Sequence, residues 1–161
     1  MRNYWTLKLG GSEFKLQRLQ ERPAERLCDT PQAIVEFLRP QLANAIGYRP
    51  DVENSIVVLL NTRRRVIGWQ VLSTGTLDTL LVHPREVFRA AVVANAAAIV
   101  FAHNHPSGDP TPSEADIKVT RDLIRAGELM KIELLDSIIL GQEAPPAAGF
   151  SSLRQLGFFY R

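Results

Sequence analysis

The sequence predicts an α/β fold, a mixed central β-sheet flanked by helices. Short apolar runs rich in β-branched residues recur at 55–60, 66–72, 98–102 and 133–140, and each reads as a buried strand. Longer stretches at 31–44, 84–97 and 114–130 carry apolar residues at helical spacing. The two kinds of segment alternate, with hairpins mixed in, which is the order of a mixed sheet covered by helices.

The elements follow in turn. Residues 4–9 alternate apolar and polar, Gly10-Gly11-Ser12 punctuates, and Phe14 and Leu16 resume the alternation, which predicts a small hairpin. Thr30-Pro31 has the form of an N-cap followed by proline at the first helical position. Ile34, Phe37, Leu38 and Leu42 then give that helix an apolar stripe. The strands 55–60 and 66–72 are joined by a solvated turn containing Arg63-Arg64-Arg65, for which a phosphate contact is the lesser reading. Ser73-Thr74-Gly75-Thr76 breaks the second strand, and His83 stands just before the Pro84 that opens a helix. That helix is expected to reach about Ala97 and to bury Val87, Phe88, Ala91 and Val92. In the helix from Glu114 to about Met130, Ile117, Thr120, Leu123 and Ile124 are expected inward. A strand ends at Gly141, a Pro/Ala loop covers 143–149, and Ser151-Ser152-Leu153 is expected to begin a last short helix.

With 161 residues the chain reads as one domain with a proper core. A net charge of +2 is too mild to argue nucleic-acid binding by itself. Cys28 is the only cysteine, so an intrachain disulfide and a cysteine-based zinc cluster are excluded. A secretory leader and a membrane-spanning apolar run are not evident, and a cytoplasmic location with no membrane partner is the expectation.

The stretch from Ala102 to Asp116 carries the chemistry. It reads His103-x-His105, seven residues, Ser113, two residues, Asp116. If the strand before it continues through His105, both imidazoles point to one face, with Cα atoms about 7 Å apart. Pro106, Pro110 and Pro112 stiffen the following loop and Gly108 permits its turn. Asp116 would then return on the first turn of the next helix as a third ligand. Three protein ligands and an open position for water are what a catalytic zinc site needs. Each part has a plainer reading: either histidine alone as a satisfied structural residue, and Ser113 with Asp116 as a capping box. The joint pattern favours the metal site, and a cap at Ser113 can coexist with it.

At these residues the chain resembles the RadC family, within the JAMM (MPN+) metalloprotease-like superfamily. The superfamily pattern, an upstream Glu and then His-x-His, seven residues, Ser, two residues, Asp, is met by Glu53, His103, His105, Ser113 and Asp116. Ser73-Thr-Gly-Thr-Leu and Val82-His-Pro-Arg-Glu-Val-Phe match the family wording too, over roughly 31–141. The resemblance implies a JAMM/MPN, cytidine-deaminase-like architecture over 31–161, with 1–30 as an N-terminal extension. It further implies Zn2+ held by His103, His105 and Asp116, Glu53 as general base, and Ser113 holding the water or the tetrahedral oxyanion. The implied activity is zinc-dependent hydrolysis of a peptide or isopeptide bond in a peptide or protein substrate. The alternatives are a DNA-repair-associated accessory protein and a metal-dependent nuclease. Many RadC-like proteins carry a helix-hairpin-helix region, whereas Leu9-Gly10-Gly11-Ser12 lacks that module's Gly-x-Gly hairpin, so DNA binding is expected to be weak at most.

Overall fold

The computed structural model describes residues 4–9, 12–18, 26–46, 48–75, 82–144 and 148–160. Ten elements succeed one another: β1 (Tyr4–Leu9), β2 (Ser12–Arg18), α1 (Pro31–Ala43), β3 (Asn54–Leu60), β4 (Val66–Thr74), α2 (Pro84–Val93), β5 (Ala98–Asn104), α3 (Glu114–Met130), β6 (Glu133–Leu140) and β7 (Phe150–Ser152). The strands form one sheet in the order β1-β2-β4-β3-β5-β6-β7. Neighbours are antiparallel except β5 and β6, which are parallel. α3 makes the crossover that a parallel pair requires. The fold is therefore the α/β, mixed-sheet class that the sequence predicts.

Alternation along the central strands divides the core into two layers. Ile56, Val58, Val100, Ala102 and Ile138 pack with Ile34, Leu38 and Leu42 of α1. Val57, Leu59, Ile99, Phe101 and Leu134 pack with Phe88 and Ala91 of α2 and Leu123 of α3. Covered on both faces, β3 and β5 are buried along their whole length, which explains their unbroken apolar runs. Thr30 caps α1 as expected, its hydroxyl accepting the Ala33 N–H at 3.2 Å.

Three expectations change. α2 stops at Val93, because Ala94 caps it and Asn95 takes a left-handed conformation (φ 53°). Val92 is 60% exposed, since Phe88 and Ala91 already fill the layer against the sheet. Residues 150–152 form β7 against β6, and 153–159 continue as turns. There Asp136 accepts from Ser152 Oγ at 2.6 Å and from the Arg154 N–H at 3.2 Å, holding the segment in turns against the sheet. The expected turn residues Gly10-Gly11, Thr76 and 145–147 of the Pro/Ala loop lie outside the described residues.

Candidate metal centre

β5 runs antiparallel to β3, so its end lies beside the beginning of β3, and Ser55 stands directly across from His103. His103 follows Ile99 and Phe101 onto the α2/α3 face, while Asn104 turns to the α1 face with Val100 and Ala102. The chain leaves β5 through His105, and Gly108, at φ 82°, turns the loop. The loop ends at Ser113, the N-cap of α3. Its hydroxyl accepts the Asp116 N–H at 3.2 Å, and Asp116 answers by accepting the Ser113 N–H at 2.7 Å. The capping box is real, and it delivers the Asp116 carboxylate to the two imidazoles.

The donor atoms converge. His103 Nε2 lies 3.2 Å from His105 Nε2 and 3.0 Å from Asp116 Oδ1, and His105 Nε2 lies 3.5 Å from Asp116 Oδ2. His103 and Asp116 are buried and His105 half-buried. His105 Nδ1 is 2.8 Å from the Asp109 carbonyl, so Nδ1 carries the proton and Nε2 of the neutral ring presents a lone pair. Asp116 Oδ2 accepts from both the Ser113 N–H and its hydroxyl, each at 2.7 Å, while Oδ1 faces His103 Nε2. A cation between them would satisfy these donor atoms, and without one, protons on the imidazoles bridge them to Asp116. Burial would raise the Asp116 carboxyl, but hydrogen bonding from His103, His105 and Ser113 overcomes it and holds it well below the usual carboxylate range. The same contact with Asp116 lifts His105 above its ordinary 6.5, against the effect of burial. Together the three side chains could hold a metal ion.

Glu53 is the last residue before β3. Its carbonyl accepts the Gly75 N–H at 2.9 Å, and it stands two residues before Ser55, which lies across from His103. Its charge contributes to raising His105. Ser113 is exposed, with its hydroxyl on Asp116. His83 opens α2 without a side-chain cap bond and takes no part in the group.

Sequence reasoning missed two supports of the site. Gly141 follows β6, and a Cβ there would meet the Gly108 carbonyl oxygen at 2.4 Å and Pro110 Cδ at 2.8 Å. The loop holding Asp109 against His105 thus lies flat on a glycine. We expect Gly141→Ala to lower stability by about 1–3 kcal/mol through overpacking and to weaken metal affinity, checked by thermal melts and metal titration. The Gly after a strand was visible in sequence, but the loop it touches was not. The second support is the Asn54–Asn104 pair, which joins the beginning of β3 to the residue between the two histidines.

Ser113→Ala removes one N-cap and is expected to cost about 1 kcal/mol of stability while keeping the metal. Paired melting and metal analysis of one sample check both halves of that statement.

Among the described residues no helix is long and apolar enough to cross a membrane. The family model of the RadC-like JAB domain matches residues 28–158. A UPF0758 protein of Symbiobacterium thermophilum is 45% identical over 131 residues, covering 81% of this chain and 51% of the relative. One from Desulforamulus reducens is 46% identical over 143 residues, covering 88% and 59%. One from Methanosarcina acetivorans is 35% identical over 144 residues, covering 89% and 58%. The chain thus spans between half and three fifths of the length of these relatives. With a match extending from Cys28 to the turns after β7 and enclosing the whole donor cluster, the chain belongs to the RadC-like JAB domain family.

Proposed function

We propose that this chain is a zinc-dependent hydrolase that cleaves a peptide or isopeptide bond by attack of water. The observation that carries the reading is the convergence of His103 Nε2, His105 Nε2 and the Asp116 carboxylate. Ligands about 2.0–2.1 Å from a tetrahedral zinc stand about 3.3–3.4 Å apart, and the contacts of His103 Nε2 with Asp116 Oδ1 (3.0 Å) and His105 Nε2 (3.2 Å) lie a little under that spacing. Three protein ligands leave a position open, as in a catalytic site rather than a closed structural one. Zinc held there supplies a Lewis acid and lowers the pKa of water to about 7.

The protein's own groups divide the remaining work. Glu53 takes the proton of the attacking water and returns it to the leaving nitrogen. Ser113 keeps Asp116 oriented through its hydroxyl, and turning that O–H from Asp116 to the developing oxyanion would let it stabilise the transition state. Hydrolysis of peptide or isopeptide substrates by zinc-loaded protein, abolished by Glu53→Gln, is the expected result. Cleavage of DNA with none of any peptide or isopeptide would overturn it.

Metal loading is expected to weaken as pH falls. Protons compete for His105, and because Asp116 raises its pKa above 6.5 the competition begins at a higher pH than for an unperturbed imidazole. Equilibrium dialysis against zinc across the neutral to mildly acidic range reads this directly.

A further inference from the structure

On the opposite face of the sheet from His103, two buried amides interlock. Asn104 Oδ1 accepts both the backbone N–H and the side-chain Nδ2 of Asn54, each at 2.9 Å. Asn104 Nδ2 donates to the Val52 carbonyl at 2.9 Å and the Pro50 carbonyl at 3.4 Å. Asn54 Nδ2 also donates to the carbonyls of Arg49 and Val52, each at 2.9 Å. Reversing either amide would set oxygen against these carbonyl oxygens, so the surroundings dictate both orientations. We infer that Asn54 and Asn104 form a positioning clamp that sets Glu53 against the metal ligands, an inference that rests on the hydrolase reading above.

The argument begins with what residues 49–53 lack. They lie in turns and an unpaired step before β3, with no strand ladder to fix them. Their carbonyls are held instead by two side chains, one adjoining Glu53 in sequence and the other lying between His103 and His105. Any shift of the 49–53 segment is thereby tied to the end of β5. Glu53 stands between Asn54 and the clamped Val52 carbonyl, two residues before the Ser55 that lies across from His103. The Gly75 N–H holds the Glu53 carbonyl from β4. Apolar side chains of similar shape would leave the Arg49, Pro50 and Val52 carbonyls and the Asn54 N–H without these partners, and Asn54 Oδ1 is itself buried with no partner among the described residues.

The test uses the full chain loaded with zinc for kinetics and with Co2+ for visible absorption, which reports the ligand shell without a substrate. Asn104→Ala and Asn54→Ala are expected to bind metal fully and to shift the cobalt band in the same direction as Glu53→Gln. Each should lower kcat about 10²-fold, the scale of a misplaced catalytic group, with KM unchanged. In a Glu53→Gln background neither should cost anything further. Val35→Ala, a core truncation in α1, controls for lost stability and should leave both the band and kcat as they are. If Asn104→Ala does not fold, Asn54→Ala, which keeps the backbone bond to Asn104, carries the test. Wild-type band and kcat in the asparagine variants, or losses that add to that of Glu53→Gln, would overturn the clamp alone. A silent Glu53→Gln would remove the general-base reading and the clamp with it.

Discussion

Purified His103→Ala protein is expected to hold no zinc where the parent holds about one ion per chain. His103 is the most enclosed of the three ligands, and its Nε2 contacts both His105 Nε2 and Asp116 Oδ1. Without it, one imidazole and one carboxylate remain, fewer protein ligands than zinc sites use. His105→Ala should give the same result, because Asp109 fixes that ring so that Nε2 is the atom offered. The loss extends to stability. An ion bound a thousandfold above its dissociation constant contributes about 4 kcal/mol to folding, so chelation should lower the melting temperature of the parent and leave that of the variant where it is. Metal analysis by mass spectrometry, with melting curves before and after chelation, checks both. Full zinc content in either variant would refute the ligand assignment.

Glu53→Gln is expected to keep zinc and lose about 10²–10⁴-fold in hydrolysis, the usual contribution of a general base. The amide matches the carboxylate in shape, so the backbone bond from Gly75 and the neighbouring asparagine pair are undisturbed. What is lost is the ability to accept a proton. The effect belongs in kcat rather than KM, because the proton moves in the transition state. Steady-state kinetics together with zinc content on one preparation separate this from metal loss. Unchanged kcat with zinc in place would take Glu53 out of the mechanism.

Much of the molecule was legible before any coordinates. The apolar runs of β3 and β5 announce strands covered on both faces, and Thr30-Pro31 announces α1. The candidate metal group was legible for a particular reason: its three side chains fall within residues 103–116, on one strand end, one loop and one helical turn. Short-range periodicity and capping chemistry govern such a stretch. Where sequence reasoning failed, two local signals competed or a distant contact decided. Ser151-Ser152-Leu153 looks like a helix start, yet pairing with β6 and the Asp136 acceptor make it an edge strand and a turn.

The sequence by itself thus determined the fold class, most of the elements, and the candidate donor group with its capping box, because these follow from side-chain periods and spacings that operate over a few residues. Only the tertiary structure decided that Ser55, two residues after Glu53, lies across from His103. It also decided that Asp116 Oδ2 is taken by Ser113, that Gly141 underlies the loop, and that Asn54 grips Asn104. These depend on strand order and register, which are set by how the two core layers close around the sheet and not by any pattern within one segment.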